Sequence, residues 1–275
     1  MFGKLLKHDF FATGRFMGVV YAVFAVVALY LVGSVHFSGS ELDSIGEMLS
    51  YIVLCLIAFV NFILTAVVVM SNFQKTLYGE QGYLTFTLPV KSSSVLFSKT
   101  IVSIFWYLAA FACFFLTARI ALWAAGEAMG ETALGLIDSI LAMSAEGLSI
   151  SVIIVATIAA IIEFFFMVVA FTMIAFLAIT VSNTRPFQKH HSLYAMLFMA
   201  VIGFVVIKLS EVIGEEPFFG FNYNFSTEKL AFAVGDNAKL AVAHIDLAVP
   251  LFLIIVSIGF FFITHYLMKK KINIR

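Results

Sequence analysis

The residues of this chain that could do chemistry form no complete catalytic or phosphate-binding set. There is no G-x-x-x-x-G-K-[ST] loop to cradle a phosphate, no H-E-x-x-H and no G-x-S-x-G. Intramembrane hydrolysis is therefore not expected, and neither are paired-glutamate metal sites, a channel filter or a charged pore ring. His190 and His191 adjoin each other without further ligands nearby, so no metal site is expected. Cys55 and Cys113 lie in apolar runs, with neither disulfide nor zinc spacing. What remains is of two kinds. One is a set of polar residues inside apolar runs: Asn61, Arg119 and Glu163. The other is the stretch 71–99, SNFQKTLYGEQGYLTFTLPVKSSSVLFSK, in which two glycines flank Glu80-Gln81 and an apolar run closes on Pro89.

The elements that must position these residues follow from composition. The 275 residues are 63% hydrophobic and 12% charged, with a mean hydropathy of +1.08. A soluble domain carries about 25% charged residues. The chain therefore reads as one integral membrane domain, 1–275, without internal repeats. Six apolar stretches, 16–35, 51–70, 100–123, 148–181, 192–213 and 245–268, each approach or exceed the ~20 residues that cross the hydrocarbon core. Helices satisfy their backbone in lipid, and no barrel alternation is visible, so an all-α membrane protein with six transmembrane helices is expected. The fourth stretch is long, ~51 Å at 1.5 Å per residue. It must tilt steeply, or its first part must pack outside or re-enter the membrane. Residues 134–145 are amphipathic enough to lie on the outer surface. Residues 1–15 place Phe2, Leu5, Leu6 and Phe10 at helical spacing with Lys4, Lys7 and Asp9 turned elsewhere, as an interfacial amphipathic helix would.

Charge sets the orientation. Lys4, Lys7, Arg15, Lys75, Lys91, Lys99, Arg185, Lys189, Lys269, Lys270, Lys271 and Arg275 fall on one side, against Asp9 and Glu80. The connections 34–50 and 124–147 carry acids and no base, and 214–244 is mixed. Both termini and 71–99 are accordingly cytoplasmic and 214–244 is external. Lys269-Lys270-Lys271 is an anchor that also suits anionic lipids. The chain is expected in a cell membrane as a multi-pass protein, with membrane lipids and no nucleic acid as partners.

Depth then follows by counting. Arg119 lies 20 residues beyond Lys99, and Glu163 lies 20 before Asn183. Both come out ~30 Å from the inner edge. They could pair between the third and fourth spans, or Arg119 could snorkel to headgroups while Glu163 faces water. Asn61, ~15 Å from Ser71, could join two helices or line a substrate path. Lys208 and Glu211 are three apart and can meet on one helix face.

The segment Phe73-Gln74-Lys75-Thr76-Leu77-Tyr78-Gly79-Glu80-Gln81-Gly82-Tyr83-Leu84-Thr85-Phe86-Thr87-Leu88-Pro89-Val90, followed by Leu96-Phe97-Ser98-Lys99, resembles a segment of small permease subunits of bacterial ABC-2-type transporters, of the Firmicutes kind. The opening Met1-Phe2-Gly3-Lys4-Leu5-Leu6-Lys7-His8-Asp9-Phe10, with Thr13-Gly14-Arg15, resembles that family's N-terminus. The remaining spans are similar only in hydropathy. The resemblance implies a bacterial plasma-membrane subunit that is not itself an enzyme. It would pair with a second permease copy or a paralogue. Two ATP-binding subunits would carry the ATP and magnesium, leaving this chain without a cofactor. The 71–99 connection would be the coupling helix docked on the ATPase, through Glu80, Gly82, Tyr83, Leu84, Thr85, Phe86, Leu88 and Pro89.

The residues agree physically. Tyr83, Leu84, Phe86 and Leu88 can fill an apolar cleft, Glu80 can meet a basic rim, and Pro89 ends the element. Periodicity leaves helix and strand both open for this run. The implied activity is ATP-driven export of a hydrophobic or amphipathic substrate: a peptide, a lipid or a drug-like molecule. The alternative is a non-transporting immunity or sensor protein that binds an antimicrobial peptide. Its binding surface would lie in the external loops, above all in 214–244 with Phe218, Phe219, Phe221, Tyr223 and Phe225.

Overall fold

A computed structural model describes residues 2–38, 44–79, 82, 92–128, 150–215, 219–224, 229–234 and 243–270. Its helices are α1 (Phe2–Ser38), α2 (Ser44–Leu77), α3 (Ser92–Ala128), α4 (Ile150–Ser182), α5 (His191–Glu215) and α6 (Ala248–Lys270). Each contains a stretch long and apolar enough to cross a membrane, six in all among the described residues. The chain is a multi-pass membrane protein by that measure. It divides into two compact units, Met1–Asp138 and Ser139–Arg275.

In the first unit α1 packs on α2 and α3, and α2 packs on α3. The expected separate interfacial helix over 1–15 is not what forms. Those residues open one continuous helix of 37 residues, about 55 Å long at 1.5 Å per residue. The candidate span within it starts at Phe2. Asp9 is also not turned to solvent: it is buried against α3. The physical reason is the partner it finds there, described below.

In the second unit α4 packs on α5 and α6. The core gathers Ala170, Ile174, Val206 and Leu253, with Phe166, Met199, Val249 and Phe252 against it. The overlong fourth stretch forms one unbroken helix of 33 residues, so its first part does not re-enter. Residues 134–145 lie outside the described residues. Helix α4 ends at the Ser-Asn-Thr-Arg-Pro run, as that run predicts. Ser182 Oγ and Asn183 Nδ2 both donate to the Ile179 carbonyl, and Thr184 Oγ1 donates to that of Val181. The backbone N–H groups of Asn183 and Thr184 donate to the same two carbonyls, so the side chains add further donors at the helix end. A 3-10 turn, Arg185–His190, with Pro at its start leads into α5, and Phe187 packs on Tyr194 and Phe198.

The spanning part is all helix. The connection between α5 and α6 adds an antiparallel sheet that an all-α reading does not contain: β1 (Phe219–Asn224), β2 (Lys229–Val234) and β3 (Ala243–Asp246), in the order β2-β1-β3.

Candidate functional site

Among the described residues, the densest buried polar chemistry lies in the first unit, where α1 meets α3. An apolar helix tolerates a serine or threonine when its hydroxyl bonds a carbonyl a turn back. Thr65, Thr100, Ser103 and Thr117 all do so at i−4. Thr13 does likewise, donating to the Asp9 carbonyl at 2.9 Å. That leaves the Thr13 oxygen free to accept, and Trp106 Nε1 donates to it at 2.9 Å. The indole is thus satisfied inside an apolar seam, as a buried tryptophan requires.

One turn of α1 earlier stands Asp9, 4% exposed. Its Oδ1 accepts from Lys99 Nζ at 2.7 Å, and its Oδ2 accepts from Ser98 Oγ at 2.7 Å. Lys99 is 5% exposed. A lone charge at such a site would be costly, whereas the pair is neutral and each carboxylate oxygen has a donor. Removing one member costs about 3–5 kcal/mol, because the other is left buried and unpaired.

The seam continues along α1. Trp106 stacks on Phe10 at 5.3 Å and on Tyr21 at 5.9 Å between ring centres. A Cβ on Gly14 would stand 3.6 Å from the Trp106 ring, so the glycine lets the indole lie close over the helix. Tyr21 donates its hydroxyl proton to the Trp106 carbonyl at 3.0 Å. It also stands 3.3 Å from Thr65 Oγ1, whose own proton goes to the Asn61 carbonyl. With both protons committed, that last contact is the weakest link of the chain. The seam thus joins Lys99, Asp9, Thr13, Trp106, Tyr21, Thr65 and the Asn61 backbone across the three helices.

Asn61 itself is 3% exposed, and neither its amide nitrogen nor its amide oxygen has a hydrogen-bond partner among the described residues. Burial matches the expectation of a membrane-embedded amide. A helix-joining hydrogen bond from its side chain is not formed there. Arg119 lies on α3 and Glu163 on α4, where Glu163 is half-buried; the Arg119 side chain lies outside the described residues. Lys208 Nζ does bond Glu211 Oε2, at 2.5 Å, and both are exposed. No group of three or more metal-binding side chains occurs among the described residues.

Of the coupling residues, Glu80, Tyr83, Leu84, Thr85, Phe86, Leu88 and Pro89 lie outside the described residues. Their approach is described. Helix α2 ends with Tyr78 and Gly79 both donating to the Gln74 carbonyl, and Gly82 donates to Gly79. A Cβ on Gly79 would meet the Lys75 carbonyl oxygen at 2.7 Å, and one on Gly82 would meet that of Leu77 at 2.5 Å. Both positions therefore need glycine for close backbone approach, as a sharp turn of the chain requires.

Asp9, Ser98 and Trp106 were not singled out by sequence reasoning. A signal exists in hindsight: Asp9 and Thr13 are one turn apart, and Lys99 and Trp106 two turns, so each pair shares a helix face. Compared with protein-family models, with curated proteins and with solved structures, the chain has no match.

Proposed function

We propose that this chain is the transmembrane subunit of an ATP-driven exporter in a bacterial plasma membrane, of the ABC-2 permease kind. Two copies of a separate ATP-binding subunit supply ATP and magnesium. A second permease copy or a paralogue completes the membrane part. The substrate is hydrophobic or amphipathic. Both termini and 71–99 face the cytoplasm: the Asp9–Lys99 pair removes one acid and one base from the charge count, and the basic bias survives.

The observation that carries this reading is the pair of hydrogen bonds that Ser98 and Lys99 donate to the Asp9 carboxylate. It joins the two parts of the sequence that resemble the permease family, the N-terminus and the root of α3. Residues 80–91 lead directly into that root. An ATPase pushing on Tyr83, Leu84, Phe86 and Leu88 would move α3, and the buried pair would carry α1 with it. The force therefore passes to packed helices and not to a loose loop. The turn at Gly79 and Gly82 ends α2 just before the docking run, so that run can be displaced without bending α2.

Purification from native membranes, with mass spectrometry of what stays bound, tests this. An ATP-binding subunit in the complex is the predicted result. A chain that purifies without one, carrying an antimicrobial peptide on 214–244, would support the immunity or sensor reading instead. That second reading draws on the sheet, which gathers aromatic positions of the 214–244 connection on one face.

A further inference from the structure

The outward face of α1 changes character once along its length. Asp9, Thr13, Met17 and Phe24 mark the helix's buried face. On the opposite side Lys4, His8, Phe11 and Arg15 follow one another at three or four residues, so they form one stripe. Val19, Val26 and Leu29 continue it at the same spacing or its double. All seven are exposed, and so is Lys7 beside the start of the stripe.

Up to Arg15 the stripe is basic. Lys7 Nζ stands 5.9 Å over the Phe11 ring, which sets an aromatic among the bases. Asp9 is the one acid of α1, and it lies on the buried face, neutralised by Lys99. No acidic side chain pairs with Lys4, Lys7 or Arg15 among the described residues. From Phe16 to Tyr30 the helix carries no charge, and Phe16, Val19, Val26 and Leu29 are 58–67% exposed. So open an apolar face of a spanning helix belongs among acyl chains, which puts the bases just before it at headgroup level. The helix has the length for both, about 55 Å against a core of ~30 Å. Long basic side chains also bend back toward that level. An anionic phospholipid suits both halves, with a phosphate for the bases and acyl chains for the apolar run. A second copy of the chain does not, because an isologous contact would set base against base.

We infer that this face of α1 is a binding site for anionic phospholipid, whose phosphates lie along Lys4, Lys7 and Arg15 and whose acyl chains lie on Phe16, Val19 and Val26. The inference does not depend on the transport reading.

The test uses the full chain, with Cys55 and Cys113 replaced by alanine, in phosphatidylcholine vesicles. A fluorophore is attached through Ala12→Cys, an exposed position beside the stripe. Phosphatidylglycerol and phosphatidylcholine, each spin-labelled near the headgroup, are added in turn as quenchers. The anionic lipid is expected to quench at about a fivefold lower fraction than the zwitterionic one, roughly the attraction of one engaged base. Added salt should narrow that difference. Lys4→Gln, Lys7→Gln and Arg15→Gln together should abolish it, while Lys269→Gln, Lys270→Gln and Lys271→Gln together should leave it. Equal quenching by the two lipids with the stripe intact would overturn the inference, and that comparison needs no stripe variant to fold. So would a preference that survives the triple substitution in the stripe. A fluorophore that neither lipid reaches would also overturn it, since it means a protein cover such as the acidic face of a partner subunit.

Discussion

The carboxylate of Asp9 and the ammonium of Lys99, 90 residues apart in sequence, meet at 2.7 Å with both side chains almost wholly out of solvent. The pair fixes the N-terminal helix to the root of α3, and Ser98 completes the carboxylate's partners. Such a pair contributes little net stability over an apolar replacement, but half of it is costly to keep.

Asp9→Asn and Lys99→Met should therefore each lower stability by about 3–5 kcal/mol, and the double variant should lose less than the sum of the two. Thermal unfolding of the detergent-purified chain measures this cycle. Additive losses would mean that the two groups do not interact.

Gly14 faces the Trp106 ring at ordinary contact distance for a methyl group and no more. Gly14→Ala should be tolerated, while Gly14→Leu should cost about 1–3 kcal/mol by pushing the indole off α1. A drop in Trp106 fluorescence anisotropy, with Trp123→Phe as background, would accompany the second. Equal behaviour of the two variants would contradict the packing.

Asn61 holds a buried amide without a partner among the described residues, a state that costs about 1–3 kcal/mol. Asn61→Leu should leave the unfolding midpoint unchanged or raise it. If export falls while stability rises, Asn61 serves the substrate path. A clear loss of stability would show that the amide is bonded after all.

At the end of α2, Gly79→Ala brings a methyl against the Lys75 carbonyl oxygen, and Gly82→Ala brings one against that of Leu77. Each should cost more than about 1 kcal/mol and loosen the turn before residue 83. Protease sensitivity of the 71–99 connection reads this directly. Unchanged cleavage would contradict the close approach.

How much of this was legible beforehand differs by element. The spans were, because lipid leaves only one way to satisfy the backbone of a long apolar run. The end of α4 was, because Ser182, Asn183 and Thr184 act on carbonyls three or four residues back. The Lys208–Glu211 bond was, being local to one helix face. Asp9 reads only as a residue turned away from the Phe2–Phe10 face, because its partner lies 90 residues away and single-sequence periodicity carries no long-range pairing. The sheet was missed for a related reason. The aromatics at 219, 221 and 223 alternate, but their partners at 230, 232 and 234 lie behind a connection that gives no hairpin signal.

The central claim, that an ATP-binding partner drives this chain through residues 80–89, is tested most directly by one comparison. Full-length wild type and a Leu84→Asp, Leu88→Asp variant are purified from native membranes, and the ATP hydrolysis retained by each is measured. The account predicts a bound, ATP-hydrolysing subunit with the wild type and its loss from a variant that is otherwise folded and membrane-inserted. ATPase retained equally by both, or absent from both, would contradict it.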